Sequence, residues 1–342
     1  QNINGILECI KNQDYDHNNM EVVLVDGAST DNTRALMCEF ALDNKDEFRR
    51  VVVLDNPKKT LPSGWNVALR EYKGDAIIKV DAHAVIPEDF VSKNVRVLET
   101  GEYICGGQRP NIIDKPTPFK ETLLLAESSM FGSSIASYRN NPGKTYVKSL
   151  FHAAYRREVF EKVGFFNEEL VRTEDNEIHY RMRKAGYKLC FDPDIISYQY
   201  TRSSLKAMLK QKYANGYWIG KTSKVCPKCL SIYHFVPFAF VSAIIASGSV
   251  IGATGLAECI KKRHNHTLGK GISALRKVTV VLTTVMWVLY ALMASGMAAV
   301  SAFKAEDKRN ITNACLPVLF LLLHLSYGIG TIAGLMDKSK RG

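Results

Sequence analysis

Two kinds of apolar pattern share this chain. Up to about Cys229, apolar residues recur in short runs and helical spacings among dense charges; beyond it come three long apolar stretches, about 232–257, 278–303 and 312–336, separated by basic residues. In the first part, Ile3, Ile6, Leu7 and Ile10 predict a helix over 3–13, and the turn Asp14-Tyr15-Asp16 leads into an apolar run at 21–25. Ser29-Thr30-Asp31-Asn32-Thr33 supplies capping side chains for a helix that buries Leu36, Phe40 and Ala41. There follow a strand over Arg50–Leu54, a helix around Ser63–Tyr72, a strand at 76–80, a helix from Pro87-Glu88-Asp89-Phe90 and a strand over Tyr103–Gly107 ending in a glycine pair. This alternation predicts an α/β fold with a mostly parallel sheet flanked by helices. A doubly wound sheet would place a strand before the opening helix, and none is legible there, so the sequence reads as lacking its first strand. The pattern weakens over 116–150, where a mobile segment is expected. Helical spacing returns at Arg157–Val163 and Asp175–Ala185. A short strand over Lys188–Phe191 then runs into Asp192-Pro193-Asp194, and a basic amphipathic helix at about 203–218 is of the kind that lies on a membrane.

Each long apolar stretch exceeds the roughly 20 residues that span a bilayer. The first contains Pro237, Gly248, Gly252 and Gly255 and is followed by Lys261, Lys262, Arg263, Lys270, Arg276 and Lys277. If all three cross and the α/β part is cytoplasmic, that basic loop lies outside, against the positive-inside tendency. A re-entrant or interfacial first stretch removes the conflict and keeps the Lys338-Ser339-Lys340-Arg341 tail on the same side as the loop. The expected division is 1–205 for the α/β domain, 206–230 for an interfacial helix and linker, and 231–342 for a membrane region of two or three transmembrane or re-entrant helices.

Charge supports the membrane. Lys and Arg total 45 against 34 Asp and Glu, a formal net charge of +11. The excess gathers at 202–228, 261–277 and 338–341, beside apolar stretches, as anionic headgroups would require. No compact basic patch interleaved with aromatics is present, which argues against nucleic acid. The 8 cysteines show no regular framework and read as free thiols in a reducing compartment. Cys226-Pro227-Lys228-Cys229, with His234 and His264 as partners, could share a zinc ion or form a redox pair, but a lone motif of this kind is weak. The first residues carry no signal-peptide pattern.

The chemistry-bearing residues sit where apolar runs stop. Val22-Val23-Leu24-Val25-Asp26 and Ile77-Ile78-Lys79-Val80-Asp81 each end in an acid, as buried strands do when they deliver a carboxylate to a sheet rim that binds nucleotides or metals. Asp81 and His83, two residues apart past a strand, can turn to one ligand. Imidazole is an acceptable ligand for Mn²⁺ or Mg²⁺, though carboxylate suits Mg²⁺ better. The plainer alternative is that Asp81 caps the next helix and His83 is an ordinary loop residue. Arg172-Thr173-Glu174-Asp175-Asn176-Glu177 gathers three carboxylates at a helix start, which the helix dipole alone would favour.

In order and spacing these elements resemble the inverting, nucleotide-sugar-dependent glycosyltransferases of family 2 over about residues 1–220. Asp-Ala-His, where that family usually has Asp-x-Asp, is similar to the branch that makes bacterial exopolysaccharides such as succinoglycan. The family's opening strand and its Pro-x-x-Asn-Glu-like loop have no counterpart here. The resemblance implies a GT-A fold with a C-terminal membrane anchor. It also implies transfer of a hexose from a nucleotide-diphosphate sugar, UDP first, to a polyprenyl-linked saccharide at the cytoplasmic face of the cell membrane. By the same resemblance Asp26 reads the nucleotide base, Asp81 and His83 hold the metal, Asp81 also borders the donor, Asp175 is the general base and Glu174 orients it or binds acceptor. Glu177 does no more than favour the helix start, and the 116–150 segment borders the acceptor. Gln211 and Trp218 belong to a divergent Gln-x-x-Arg-Trp element; its Arg is absent, which favours single-sugar addition over long-chain synthesis. Tyr and Trp there read equally well as a headgroup-level aromatic belt. Gly106-Gly107 would let backbone approach the donor sugar, and Arg109 or Arg202 would pair with phosphate oxygens. Transfer to polyprenyl phosphate and an inactive membrane scaffold are the competing readings.

Overall fold

The computed structural model describes residues 3–132, 143–263, 269–305 and 309–338. His264, much of the basic loop, part of the 116–150 segment and most of the basic tail lie outside the described residues. The chain opens on helix α1 (Asn4–Lys11), which buries Ile6 and Leu7. Strand β1 (Glu21–Asp26) alternates half-buried and buried positions, as the apolar run requires of a strand between two layers. It leads through α2 (Thr33–Asp43) to β2 (Arg50–Asp55), which pairs with β1 in parallel, Asp26 opposite Asp55. Helix α3 (Leu61–Glu71) returns the chain to β3 (Ala76–Ile78), shorter than predicted because Lys79 and Val80 leave the ladder. Then come β4 (Ala84–Val85), α4 (Phe90–Glu99), β5 (Ile104–Gln108), β6 (Asn111–Ile112), α5 (Pro118–Ser128), β7 (Thr145–Val147), β8 (Ala153–Arg156), α6 (Arg157–Val163) and α7 (Glu174–Lys184). Strand β9 (Leu189–Ile196) runs on through Asp192-Pro193-Asp194, where the sequence predicted an end. After β10 (Tyr198–Tyr200) the chain is helical: α8 (Leu205–Val225), α9 (Val236–Arg263), α10 (Lys270–Lys304) and α11 (Leu316–Met336).

The sheets are mixed rather than mostly parallel. The order β3-β8-β5-β9-β7 holds only one parallel pair, β5 with β9, and the small sheet β4-β10-β6 joins β10 antiparallel to β4 and parallel to β6. Strand β8, which the sequence did not disclose, inserts antiparallel between β3 and β5. Among the described residues no strand bridges β1 and β3. A cavity of about 1040 Å³ lies there, lined by apolar side chains that include Ile3, Val22, Leu24, Ile77, Val80 and Phe90, with Gly27, Asn56 and Asp81 also on its wall.

A helical layer adjoins this α/β body. Helix α5, in the stretch expected to be mobile, packs Leu123 and Ala126 at zero exposure against Met208 of α8, Ala294 of α10 and Leu316 and Phe320 of α11. Helix α8 is not a free amphipathic surface helix. It runs parallel to α11 along a seam of glycines: a Cβ on Gly216 or Gly220 would strike the α11 backbone at Tyr327 or Thr331, and one on Gly330 or Gly334 would strike the α8 carbonyls of Tyr213 or Tyr217. Small residues bring the two backbones together as they do in membrane helix pairs.

Because a methyl group has no room in that seam, Gly334→Ala is expected to lower stability by about 1–3 kcal/mol, the usual cost of overpacking. Thermal unfolding in detergent would show a lower midpoint than for Gly296→Ala, whose Cβ meets nothing within 4 Å; equal midpoints would refute the seam.

Candidate active site

The site is organised by a lysine in an apolar strand. Past β3, the Lys79 backbone N–H still donates to the Ala153 carbonyl of β8 at 2.9 Å, which turns its side chain toward α7. The residue is only 5% exposed, its ammonium donates to Oδ1 of Asp175, and the ring centroids of Trp65 and Phe166 lie 5.1 and 5.6 Å away. A buried ammonium is tolerated only with such a partner. Asp175 is where it must be because Thr173, whose hydroxyl meets that of Thr222 on α8, fixes the start of α7 and sets Glu174 and Asp175 in its first turn.

Burial works against the Lys79 ammonium, but the carboxylates of Asp175, Glu174 and Asp81 outweigh it and lift its pKa above the ordinary lysine value. Burial raises the pKa of Asp175 above the usual carboxylate range, with Lys79 opposing. Glu174, 3% exposed, is pushed up to about 8, first by burial and then by the Asp175 charge. Its Oε2 is buried and has no hydrogen-bond partner among the described residues. Burial also acts to raise Asp81, but a hydrogen bond and charge from His152, together with Lys79, hold it well below the ordinary range. His152 is buried and its pKa is lowered by desolvation. Its Nδ1 is 2.8 Å from Ser197 Oγ and its Nε2 lies 3.4 Å from the Asp81 backbone N–H and 3.7 Å from Oδ2 of Asp81.

Asp175, Glu174 and Asp81 therefore share one charge cluster around Lys79. Asp26 ends β1 as expected, 2% exposed, and both carboxylate oxygens accept from the Ser29 N–H at 3.1 and 3.3 Å, so part of its capacity is spent on its own turn. Asp31 accepts from Thr33 N–H and caps α2. Glu177 forms an i,i+4 ion pair with Arg181, a role within the helix. Arg109 is buried with its guanidinium 4.1 Å from the Phe151 ring centroid. Gly107 has a packing reason: a Cβ there would collide with the carbonyls of Asp192 and Ile195 on β9, so strand packing by itself requires glycine. On α8, Gln211, Asn215, Trp218 and Thr222 are spaced four, three and four residues apart and share a face. Asn215 accepts from Arg172 at 2.9 Å and Thr222 meets Thr173, so this face adjoins the start of α7. Gln211 Oε1 is buried with no hydrogen-bond partner among the described residues, and Trp218 is 8% exposed, which does not fit an aromatic belt in headgroups.

The donor set fits a divalent cation in part. Asp81 is an ionised, half-buried carboxylate, whereas His83 Nε2 sits 2.8 Å from the Gln199 side-chain nitrogen. Among the described residues no group of three His, Cys, Asp or Glu side chains could hold a metal by itself, so a ligand oxygen has to complete any such site. Sequence reasoning missed Lys79 and His152, and also His179, buried between Ser149 and Tyr155 and pushed down to about 3 by burial. Lys79 had a signal, since a single cation inside an apolar strand demands a partner. His152 and His179 had none, because their partners are 24 or more residues away in sequence.

Comparison with known proteins places this geometry. The family model for glycosyl transferase family 2 matches residues 1–164. The succinoglycan biosynthesis protein ExoA of Rhizobium meliloti is 30% identical over 203 residues, 58% of this chain and 59% of that protein, so the match spans less than two thirds of that relative. A Methanococcus voltae dolichyl N-acetyl-α-D-glucosaminyl phosphate glucuronosyltransferase (3-β-D-2,3-diacetamido-2,3-dideoxy type) is 26% identical over 251 residues, 70% of this chain and 76% of that one. The mannosyltransferase PcManGT of Pyrobaculum calidifontis, solved with GDP-Man and Mn²⁺, superposes with a TM-score of 0.56 at 17% identity, covering 98% of this chain and 84% of that one. That likeness concerns the fold, which is GT-A.

Glu174 generates a stability prediction. Its folded pKa, about 8, lies above the reference 4.5, so its stabilisation is full below pH 4.5 and is lost as pH rises through 8. Glu174→Gln removes that loss: its unfolding midpoint should match the parent at pH 4.5 and exceed it by several degrees at pH 9, and parallel curves would refute the assignment.

Proposed function

This chain belongs, through residues 1–164, to glycosyl transferase family 2, and from that premise we propose that it moves a hexose from a nucleotide-diphosphate sugar, UDP first, to a polyprenyl-linked saccharide, with inversion at C1. The observation that carries the reading is the shared Lys79, which ties the donor-side acid Asp81 and the acceptor-side acid Asp175 into one cluster. Names of relatives support the substrates: one specifies a dolichyl-linked sugar phosphate, another succinoglycan biosynthesis, and PcManGT was solved with a sugar nucleotide and Mn²⁺.

In this reading Asp175 takes the proton from the acceptor hydroxyl as that oxygen attacks the sugar from the face opposite the diphosphate. Burial makes Asp175 a stronger base than an exposed carboxylate, and Lys79 keeps it ionised and oriented. Glu174, mostly neutral at pH 7, donates a hydrogen bond to an acceptor oxygen. Asp26 receives a base N–H through the capacity that Ser29 leaves, and Arg109 and Arg202 face phosphate charge. Gln211 and Trp218 line the acceptor side of α8. Asp81 would hold a Mn²⁺ or Mg²⁺ ion together with diphosphate oxygens, and His83 would join only by releasing Gln199. Such an ion, when bound, offsets charge developing on the leaving diphosphate.

A second acceptor, polyprenyl phosphate itself, is favoured by one observation. Arg172 has its pKa lowered by burial and by the nearby charge of Arg202, so two guanidinium groups sit close together beside Glu174, a setting suited to a phosphate. Product charge after lipid extraction distinguishes the two acceptors.

In membranes holding the full chain, sugar-nucleotide turnover should need Mn²⁺ or Mg²⁺ and stop with EDTA. Asp175→Asn should lower kcat by about 10²–10⁴ while the donor KM stays within about twofold, as for loss of a general base. Undiminished turnover by that variant would remove Asp175 from the chemistry, and nucleotide binding without turnover in either protein would favour an inactive scaffold.

A further inference from the structure

Three helices are long and apolar enough to cross a bilayer, yet they are not alike. Only 6% of the most apolar window of α9, and of α10, is buried within the protein, against 39% for α11. With 21 residues α11 is about 32 Å long, so length does not decide its path. Its attachments do. At its N-terminal end the turn Ile311–Cys315 is held to α5: the Thr122 hydroxyl donates to Asn313 Oδ1 at 2.7 Å and that of Thr312 to the Pro118 carbonyl at 3.1 Å. At its C-terminal end Asp337 takes the Tyr217 hydroxyl and the Lys221 ammonium, the latter at 3.3 Å, and its carbonyl accepts from Lys224 at 2.9 Å. Between those ends α11 follows α8 along the glycine seam.

Helices α5 and α8 are themselves parts of the α/β body. The Glu127 carboxylate of α5 accepts from Thr201, just past β10, and pairs with Lys212 of α8 at 3.3 Å, while Thr222 of α8 meets Thr173 at the start of α7. The turn Pro227–Cys229 that ends α8 packs on α7. For α11 to cross hydrocarbon, α8 would have to sink beside it, taking exposed Lys206 and Lys210 and the Lys212–Glu127 pair into lipid, where charges are expensive. By contrast α9 leaves α11 at Pro237, which lies against Gly328, and α10 returns to it at Tyr290, whose hydroxyl is 3.0 Å from His324 Nδ1. The stretches between expose apolar side chains such as Ile245, Leu256, Val281 and Leu282. Helix α9 is unbroken through Gly248, Gly252 and Gly255, unlike a re-entrant segment.

We propose that α9 and α10 alone cross the bilayer, as a hairpin, and that α11 lies in the membrane plane, its outer face of Val318, Ile329 and Met336 resting on lipid. Lys338 is then on the side of the α/β domain and Gly269, at the start of α10, on the opposite side, which reverses the sidedness of the basic loop expected from charge. The proposal is independent of which sugar or acceptor is used.

The test is cysteine labelling of the full chain in sealed right-side-out and inverted vesicles. Lys338→Cys and Gly269→Cys would each be treated with a membrane-impermeant maleimide and read by peptide mass spectrometry, with native Cys38, on α2, marking the domain side. A membrane-permeant maleimide, labelling both positions in all vesicles, shows that protection reflects sidedness. Position 338 should label together with Cys38 and position 269 in the vesicles of opposite orientation. Labelling of 338 with 269 would overturn the in-plane helix in favour of three spans, and labelling of 269 with Cys38 would overturn the crossing hairpin.

Discussion

A lysine ammonium enclosed by protein must be neutralised where it stands, and Lys79 sets that condition for the whole candidate site. Its position just past β3 is fixed by the sheet, so the compensating acid has to be brought to it. That role falls to α7, whose first turn is pinned from behind by contact between Thr173 and Thr222. Glu174 is forced toward neutrality first by its burial and then by the neighbouring Asp175 charge, since one cation does not compensate three carboxylates. Asp81 keeps its charge because His152, itself held by Ser197, stands beside it.

Helix α8 links this chemistry to the membrane. One face carries Gln211, Asn215, Trp218 and Thr222 toward the start of α7, while the small residues Gly216 and Gly220 admit α11. Positions of the acids at the start of α7 and of the apolar helices are thus coupled through one rod, and a shift of α11 relative to α8 would be felt at Thr173. Such a rod fixes the height of the candidate site relative to the apolar helices.

Much of the α/β body was legible in local pattern. The run ending in Asp26 became a strand that ends at that acid, the run before Asp81 became a shorter strand that stops at Ile78, and Arg157–Val163 is a helix with the predicted bounds. The acids at 174 and 175 came to the site because motif order reflects the order of strands and helices along the sheet rim. The mixed pairing was not legible, because β8 carries the short run Ala153–Arg156 whose neighbours β3 and β5 are distant in sequence. Helix α5 was hidden as well, since Leu123 and Ala126 are buried by residues of α8, α10 and α11 rather than by local partners.

By itself the sequence determined where strands end in acids, which family motifs recur and which stretches are apolar enough for lipid, because periodicity and residue type are local properties. Tertiary structure decided which acid is charged, why Gly107 is glycine, and which apolar helix is most buried against the rest of the protein. Those outcomes depend on burial and on partners reached only through space: Lys79 and Asp175 are 96 residues apart, and Tyr217 and Asp337 are 120 apart.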